Sequence, residues 1–556
     1  NLKNGIHIDL FRMFSNKSLH TYAFNRKYEQ FKLDTIAKSF LNEGKIEHGS
    51  MDKMTLEEMA TYCLKDAELT LRLTTFNDNM TMKLLFTIAR ITKSTIEDVC
   101  RYGMSNWVRN MLYFEHRKQG FLIPNKDELQ LKTSDPEVIK HYENYGNNAI
   151  DLSKKYEGGF VMEPTPGAHF NVVVMDFASL YPSIIKTRNL SYETINCTHE
   201  DCKVNNKVPE TTNWYCNKIQ GMTSLIIGTL RDLRVEYFKK LSKDKSLTED
   251  ERDLYDAITQ SQKVILNGSY GVIGQSSFQL FCLPVAESVT AIGRNIIKST
   301  KKYAEEQLGL KVLYGDTDSV FILNPTDENI NKLIKFTKAN YHIDLEVDKR
   351  YKFIIFSGLK KNYFGILDNG KIETKGLTAK KSHIPEYVKK CYNEITNILK
   401  EIDTPLQLET SKDAITELVK KYVKDLKNGN YQMKDLAFNI KLRGTLEDYG
   451  EEVEEVDDIF GNTQRVRKGV PEHIRISEEL RQQGVNISKG DYISFIKCKG
   501  RAMTIDKAKK DMIDTDKYLA TFETALKPIF SVLGIDTKEA IHGSSKQMSL
   551  ADLFFK

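Results

Sequence analysis

The chain has 556 residues, of which 40% are hydrophobic and 28% are charged, a composition typical of globular proteins. Its 81 basic and 76 acidic residues leave a net charge of +5, so any nucleic-acid-binding surface must come from local clustering of charge. No apolar run reaches the ~18 residues of a membrane span and no signal-peptide pattern is present, so we expect an intracellular protein of roughly three to five domains.

The N-terminal part of the sequence predicts one strand followed by helices. Residues 5–11 resemble an internal strand, and a helical pattern follows them. Tyr62 and Asp66 are four residues apart and therefore lie on one helix face; taken alone, they are an ordinary half-buried tyrosine and a surface aspartate. Residues 80–150 predict further helices and a connector that is broken by prolines.

Two stretches place carboxylates at the ends of predicted strands. The apolar residues 171–177 predict a buried strand that ends near Asp176, and Pro182 requires the chain to turn soon afterwards. Residues 311–323 predict a β-hairpin with Asp316 and Asp318 on one face of its tip. Hard oxygen ligands in this arrangement suit magnesium, whereas a solvated acidic turn is the ordinary alternative for the hairpin alone.

Four possible metal ligands lie between these two stretches. Cys197, His199, Cys202 and Cys216 fall within 20 residues and could bind zinc. Their spacing is not a standard Cys-x-x-Cys pair, so separate or disulfide-linked cysteines remain open alternatives. Eight cysteines in a chain of this length do not make a disulfide framework.

Residues 222–243 and 250–270 predict two helices joined by a polar turn. On the second helix, Lys263, Asn267 and Tyr270 fall within a stripe roughly 60° wide, so they face one way. Together they offer a positive charge, an amide and an aromatic hydroxyl, a combination that suits a phosphorylated ligand. A mixed amphipathic helix is the alternative.

The C-terminal part of the chain predicts strands and then helices. Lys360, Lys361 and Tyr363 lie between apolar strands, either as a nucleic-acid contact or as the charged edge of a sheet. From about residue 383 the pattern becomes helical and lysine-rich. The acidic residues 451–458 predict a solvated loop.

Three of these segments carry a family resemblance. They read Asp176-Phe-Ala-Ser-Leu-Tyr-Pro-Ser-Ile, Lys263-Val-Ile-Leu-Asn-Gly-Ser-Tyr-Gly and Tyr314-Gly-Asp-Thr-Asp-Ser. In sequence, order and rough spacing they resemble the A, B and C motifs of B-family DNA polymerases, and the likeness is closest to archaeal replicative enzymes. The resemblance covers nearly the whole chain. It implies DNA-directed addition of a deoxynucleotide (dNTP) to a primer 3′-OH with release of pyrophosphate, in DNA replication or repair.

The resemblance also implies a multidomain α/β right-hand fold. Its parts would be an antiparallel-sheet palm, helical-hairpin fingers and a mainly helical thumb, preceded by a partial, ribonuclease H-like exonuclease domain. The implied boundaries are 1–85 for the partial 3′–5′ exonuclease domain, 86–150 for a helical connector, 151–221 and 276–382 for the palm, 222–275 for the fingers, 383–545 for the thumb and 546–556 for a clamp-binding tail.

The family's first two exonuclease motifs do not occur in residues 1–61, whereas Tyr62 and Asp66 match its third motif. We therefore expect the family's N-terminal domain and the first part of its exonuclease domain to be missing. Proofreading should then be absent from this chain alone. A separately encoded N-terminal exonuclease fragment is one expected partner.

The resemblance assigns roles to individual residues. Asp176 and Asp318 would bridge two Mg²⁺ ions, with Phe177 as a further ligand and Asp316 supporting the site. The implied nucleotide-binding residues are Ser179, Leu180, Tyr181, Arg234, Lys263, Asn267 and Tyr270, with Arg231 as the alternative to Arg234. The implied contacts to primer-template DNA are Tyr156, Gly158, Gly159, Thr317, Lys360, Lys361 and Tyr363.

The final residues resemble a sliding-clamp-binding tail. Gln547, Leu550, Leu553 and Phe554 would make the contact, although the family's usual aromatic at the first of the two terminal positions is Leu553 here. The end of an amphipathic helix is the alternative.

Two other functions are open at this stage. The chain could be a non-catalytic or split-gene polymerase subunit that binds DNA and needs a partner chain, but all three aspartate positions are filled. It could also use ribonucleotides or an RNA template, and Tyr181 argues against ribonucleotides. We expect a cytoplasmic, nucleoid-associated protein without a membrane partner.

Overall fold

The computed structural model describes residues 5–46, 54–130, 132, 157–449, 453–457, 463–467 and 470–543. Tyr156 and the predicted clamp-binding tail, including Gln547, Leu550, Leu553 and Phe554, lie outside the described residues. Among the described helices, none is long and apolar enough to cross a membrane.

A six-stranded antiparallel sheet lies at the centre of the molecule, with strand order β2-β3-β1-β4-β5-β6. Its strands are β1 (Gly167–Phe177), β2 (Lys311–Asp316), β3 (Ser319–Leu323), β4 (Leu345–Phe356), β5 (Tyr363–Leu367) and β6 (Ile372–Lys375). The predicted strand that ends near Asp176 and the predicted hairpin are both confirmed. Both are rich in β-branched and aromatic residues, which pack well on a pleated surface.

The N-terminal part is helical where it is described. Its helices are α1 (Leu10–Ser15), a π-helix (Leu19–Ala23), α2 (Leu33–Leu41) and α3 (Leu56–Thr92), which is interrupted between Phe76 and Asn79. The predicted strand over residues 5–11 is wrong, because α1 begins at Leu10 and the Asp9 carboxylate caps it by accepting the Arg12 N–H at 3.0 Å. No strand of a ribonuclease H-like sheet lies among the described residues of this part.

The N-terminal helices share an aromatic core. Phe14 and Tyr28 are each 1% exposed, and Phe24 and Phe40 pack against them. Most apolar side chains described in residues 5–46 therefore pack into the main core, whereas Ile6, Phe11 and Ile46 remain exposed.

Helices connect and cover the central sheet. The connecting helices are α4 (Ile96–Arg101), α5 (Met104–Lys118) and α6 (Lys126–Gln130). Those that follow β1 are α7 (Leu180–Thr187), α8 (Glu200–Asn205), α9 (Met222–Asp232), a π-helix (Leu233–Phe238), α10 (Lys239–Leu241), α11 (Glu249–Ile273), α12 (Leu283–Glu306) and α13 (Asp327–Tyr341).

The predicted helical hairpin over residues 222–270 is confirmed as α9 to α11. Thr248 begins α11 with a capping box, in which Thr248 and Glu251 each satisfy a backbone N–H of the other residue. On its far side α11 packs against α3 and α5, so the hairpin contacts the N-terminal helices as well as the sheet region.

The C-terminal part has a second hydrophobic core and contains more strand than the sequence predicts. Its helices are α14 (Glu386–Lys400), α15 (Pro405–Lys427), α16 (Glu472–Gln482), α17 (Thr515–Leu533) and α18 (Thr537–His542), with 3₁₀ turns at Thr378–Lys380, Met433–Leu436, Leu446–Asp448 and Lys510–Met512. Its strands are β7 (Phe438–Lys441), β8 (Val453–Asp457), β9 (Thr463–Arg467), β10 (Tyr492–Lys497) and β11 (Ala502–Met503).

These strands form a three-stranded sheet, β11-β10-β7, and a β8-β9 hairpin. The acidic run is therefore a strand where it is described, not the predicted loop. This segment pairs antiparallel with β9 and places Glu455 opposite Arg465, so cross-strand pairing outweighs the charge of the run.

Candidate active site

The C-terminal end of β1 meets the tip of the β2-β3 hairpin, and this junction gathers carboxylates. Asp176 lies opposite Ser319 in the β1-β3 register, and the Phe177 N–H donates to the Asp318 carbonyl at 2.8 Å. A cavity of about 130 Å³ opens at this point. Its acidic lining residues are Asp176, Asp316, Asp318, Asp348 and Glu373. The structure therefore brings together the three aspartates that the sequence singled out.

Asp348 and Glu373 are the carboxylates of this cavity that the sequence analysis missed, and Glu373 pairs with Lys349 Nζ at 2.9 Å. Along the β1-β4 pair, Val174 lies opposite Lys349 and Met175 lies opposite Val347, so Asp348 is an extra residue in β4. Such a β-bulge redirects a side chain, and here Asp348 lines the cavity with Asp176. A bulge depends on the pairing of two distant strands, so no local pattern in the sequence indicates it.

The cavity carries more negative charge than its surroundings balance. Burial, followed by repulsion from Asp318 and Asp348, raises the pKa of Asp176 to about 8. The pKa of Asp318 is also raised, because protein surrounds much of this carboxylate and Asp316 lies close to it. Among the described residues, no lysine or arginine forms an ion pair with either group. Both carboxylates would be stabilised by a cation from outside the chain.

Asp316 has a different environment. Its side chain is 8% exposed, and it pairs with Lys361 Nζ at 2.7 Å and Lys375 Nζ at 3.5 Å. Thr317 at the hairpin tip has a φ of 60° and donates its N–H to the Phe160 carbonyl at 2.9 Å. The two lysines balance the Asp316 charge, so Asp316 anchors the hairpin tip while Asp318 stays accessible.

A second and larger cavity of about 360 Å³ adjoins the first. The residues that line it come from the three sequence motifs and from the N-terminal π-helix: Tyr22, Ser179, Leu180, Tyr181, Pro182, Leu266, Asn267, Tyr270, Gly271, Thr317 and Asp318. Asp318 lines both cavities, so the acidic site and the larger pocket are contiguous. The Tyr181 and Tyr270 rings lie 4.4 Å apart between centroids.

The predicted stripe on α11 is present. Lys263, Asn267 and Tyr270 are each at least partly exposed, whereas the intervening residues at positions 264–266 and 269 are buried. Burial, followed by the proximity of Arg234, lowers the pKa of Lys263. Two cations held close together in this way favour a negatively charged ligand.

The structure distinguishes the two arginines that the sequence left as alternatives. Arg231 is 6% exposed and pairs with Asp344 at 2.8 Å, and it also contacts Asp232 and Glu236. Arg234 instead reaches Ser179 Oγ at 3.4 Å, and burial lowers its pKa. Arg234 is therefore the arginine that faces the motif residues.

The sequence of this chain was compared with protein-family models and with the sequences of known proteins. The model of "DNA polymerase family B" matches residues 94–532. The chain belongs to DNA polymerase family B. It is 41% identical to DNA polymerase 1 of Sulfolobus acidocaldarius and 36% identical to DNA polymerase 1 of Aeropyrum pernix, over 97% and 96% of this chain. The matches cover 59% and 53% of those relatives, so the chain spans little more than half of their length.

A solved structure has a similar fold. It is the family B DNA polymerase from the hyperthermophilic archaeon Pyrobaculum calidifontis, with a TM-score of 0.64 and 22% sequence identity. The match covers 96% of this chain and 64% of that one. At this identity the likeness supports a family B fold of mixed helix and antiparallel sheet.

The glycine pair predicted from the family B resemblance lies against the hairpin tip. A Cβ at Gly159 would stand 2.8 Å from both the Tyr181 hydroxyl and Thr317 Cγ2, so only glycine fits without movement. Arg294 Nη1 holds residues 157–158 in place by donating to the carbonyls of Glu157 at 2.8 Å and Gly158 at 3.0 Å.

The predicted DNA-binding group at the start of β5 has two exposed lysines, which precede the strand, and one buried tyrosine within it. Lys360 and Lys361 are exposed, and the Lys361 ammonium pairs with Asp316. Tyr363 is 3% exposed and lines the acidic cavity. The two lysines are accessible to a ligand, whereas Tyr363 belongs to the wall of the carboxylate cavity.

Tyr62 and Asp66, the predicted exonuclease remnant, lie together on α3. Asp66 pairs with Lys45 Nζ at 2.7 Å, and the same ammonium lies 4.6 Å from the centroid of the Tyr62 ring. A lysine therefore balances the charge of this carboxylate.

Proposed function

We propose that this chain catalyses DNA-directed transfer of a dNTP to a primer 3′-OH. The observation that carries the proposal is the meeting of three separate sequence motifs at two adjoining cavities, one acidic and one lined by Tyr181, Asn267 and Tyr270. Asp318 lines both cavities and would therefore lie beside both the reacting phosphate and the primer end. Membership of family B supports the same reaction.

Divalent metal ions are typical of family B, and the acidic cavity fits them. The donor set consists of carboxylate oxygens, which suit Mg²⁺, and the pKa values of Asp176 and Asp318 are raised first by burial and then by neighbouring carboxylates. Asp176, Asp318 and the Phe177 carbonyl would hold two Mg²⁺ ions, with Asp348 as an additional carboxylate. When bound, the ions would acidify the primer hydroxyl and neutralise the phosphates.

The nucleotide would occupy the larger cavity. Arg234 and Lys263 would supply positive charge for the triphosphate, and burial lowers the pKa of both groups. Tyr181 would lie under the sugar and Tyr270 beside the new base pair. The remaining pocket contacts would come from Ser179, Leu180 and Asn267.

Primer-template DNA would run over the surface next to these cavities. Gly158 and Gly159 allow close approach of a phosphate backbone, and Lys360 adds positive charge that does not depend on base sequence. Thr317 and Lys361 would border the primer end. Tyr363 is assigned to holding this wall of the site, and Tyr156 remains a proposal from the resemblance.

This assignment gives the structural parts their family names. The six-stranded sheet would be the palm, α9 to α11 the fingers, and residues 383–545 the thumb. Residues 1–85 would be a partial exonuclease domain and 86–150 its connector.

Three partner proposals rest on the resemblance. Residues 546–556 would bind a sliding clamp, a separate fragment would complete the exonuclease, and the protein would be associated with the nucleoid. Deleting residues 547–556 should reduce synthesis only when a clamp is present. A clamp that stimulates the full chain and the deletion variant equally would exclude the tail as the contact.

A primer-extension assay with the purified chain tests the main proposal. We expect extension that requires a DNA template, dNTPs and Mg²⁺, and that stops when the metal is chelated. A chain that binds primer-template DNA but extends no primer at any Mg²⁺ concentration would instead be a non-catalytic subunit.

Substitution of Tyr181 tests the nucleotide pocket. The ring is confined by Tyr270 and by Gly159, so it forms a rigid wall against a 2′-hydroxyl. Tyr181→Ala should lower discrimination against ribonucleotides by about 10- to 100-fold, whereas Tyr181→Phe keeps the ring and should keep selectivity. Unchanged selectivity in Tyr181→Ala would place the sugar elsewhere.

A further inference from the structure

The segment between α7 and α9 is stabilised by few regular elements. It contains only the six-residue helix α8 and two isolated bridges, Ile195 with Tyr215 and Lys207 with Trp214. Leu190, Ile195 and Val208 of this segment join the main core. The remainder surrounds a small cluster in which Trp214 packs against three buried cysteines: Cys197, Cys202 and Cys216. So small a cluster usually needs a covalent link or a metal ion to fix its conformation.

His199 completes this cluster. One ligand atom from each of Cys197, His199, Cys202 and Cys216 lies within 4.8 Å of all the others, and Cys216 Sγ is 3.4 Å from His199 Nδ1. Tetrahedral zinc, with Zn–S near 2.3 Å and Zn–N near 2.0 Å, requires ligand atoms about 3.5–3.8 Å apart. We propose that these four residues bind a structural zinc ion, an inference independent of the polymerase reaction.

The convergence of four ligands favours zinc over a disulfide. A disulfide would use two of the three sulfur atoms and leave the third thiol and the imidazole directed at the same space without a function. All eight cysteines of the chain are unpaired in the structure. No other group of three or more His, Cys, Asp or Glu ligand atoms gathers in this way among the described residues.

The surroundings suit zinc-bound thiolates. Zinc would displace the three thiol protons, giving a site with a net charge of −1. The Lys218 N–H lies 3.4 Å from Cys216 Sγ and can donate to a thiolate. Lys203 Nζ is 5.5 Å from the centroid of the Trp214 ring, which adds positive charge next to the cluster.

Four protein ligands leave no open coordination position, so the role of the ion is structural. The Asn189 amide donates to the carbonyls of Cys216 at 2.9 Å and Ile219 at 2.6 Å, and its oxygen accepts the Gly221 N–H at 3.0 Å. Gly221 immediately precedes α9. Zinc would therefore hold the segment that fixes the start of the helical hairpin.

Metal analysis of the purified 556-residue chain tests the proposal directly. After growth with zinc and dialysis without a strong chelator, we expect one zinc ion per chain and three fewer reactive thiols in the folded protein than after chelation. Replacement with Co²⁺ should produce the visible absorption of tetrahedral cobalt-thiolate coordination. A chain that binds no zinc and has a mass two hydrogens lower, from a disulfide, would overturn the proposal.

Single substitutions locate the site. Cys202→Ser and His199→Ala should each weaken zinc binding by at least about tenfold. Cys498→Ser, which changes another buried cysteine, and Cys63→Ser, which changes an exposed one, should retain one ion per chain. Zinc that persists in Cys202→Ser and His199→Ala alike, or that is lost equally from the two control variants, would show that the metal binds elsewhere.

Discussion

Two regions of this chain carry an aspartate beside a tyrosine, and they differ in how the charge is balanced. At the acidic cavity, Asp176 and Asp318 have raised pKa values and no ion pair with a described lysine or arginine. On α3, Asp66 pairs with Lys45 at 2.7 Å. A carboxylate that already has a lysine partner gains little from a metal ion, whereas a crowded set of unpaired carboxylates gains much.

The comparison separates sites that sequence motifs alone treat alike. Tyr62 with Asp66 and the Asp316-Asp318 pair both match family motifs, but only the second pair lines a cavity with Asp176, a further carboxylate that forms no ion pair with a described lysine or arginine. Balance of charge, judged by the ion pairs of each carboxylate, therefore distinguishes the motif that we propose to bind metal from the one that pairs with Lys45.

The largest expected effect is the loss of extension when an unbalanced carboxylate is removed. Asp176→Asn or Asp318→Asn should reduce the rate of single-nucleotide incorporation by about 10³-fold or more, because the metal ions lose an essential ligand. Primer-template affinity should change by no more than several-fold. Rapid-quench kinetics and a gel-shift titration measure the two quantities.

The matched control for both is Asp66→Asn, which changes an aspartate of the second region. Incorporation by this variant should equal that of the unchanged chain. Near-normal extension by Asp318→Asn would remove the distinction between the two regions.

A smaller effect is expected for the carboxylate on the β-bulge. Asp348→Asn should lower incorporation by about 10- to 100-fold and raise the Mg²⁺ concentration needed for half-maximal rate. The control Glu328→Gln removes an exposed carboxylate that pairs only with Lys332 on α13. If both variants require the same Mg²⁺ concentration as the unchanged chain, Asp348 is not part of the metal site.

A still smaller effect is expected at the balanced aspartate of the cavity. Asp316→Asn should reduce incorporation by less than about tenfold, because Lys361 and Lys375 already neutralise this group and its role is to anchor the hairpin. Its incorporation rate is to be compared with that of Asp318→Asn in the same assay. A loss as large as that of Asp318→Asn would make Asp316 a direct metal ligand.

The smallest effect is expected at Asp66. A single carboxylate paired with lysine does not hold two metal ions, so the chain alone should not degrade a mismatched primer in the 3′–5′ direction. Asp66→Ala should leave that result unchanged. Degradation by the chain that disappears in Asp66→Ala would make the two regions equivalent in metal binding.

The sequence predicted the individual strands and helices of this site better than it predicted how they pack against one another. Hydrophobic period and turn residues were enough for β1, the hairpin with Asp316 and Asp318, and the stripe on α11, because each depends on local order. Asp348 was missed because a bulge arises only when β4 pairs with β1. The choice between Arg231 and Arg234 required Asp344, which is distant in sequence but pairs with Arg231.

The predicted strand over residues 5–11 was wrong because its local pattern does not distinguish a strand from a helix. A short apolar run at residues 5–11 fits strand or helix, and the Asp9 cap decides in favour of α1. The sequence could not show that the four ligands of the cysteine cluster converge. Cys216 reaches the other three only because the Thr194–Cys216 and Asn196–Trp214 backbone hydrogen bonds fold the segment back.

The position of Tyr22 has a consequence for substrate size. This residue lies on the N-terminal π-helix, more than 150 positions before Ser179, and yet both line the 360 Å³ cavity. One wall of this cavity therefore comes from the N-terminal part of the chain, whereas the other walls come from the three sequence motifs. If the incoming nucleotide occupies this cavity as proposed, the bulk that its base can have would be set in part by how firmly that helix packs against α11.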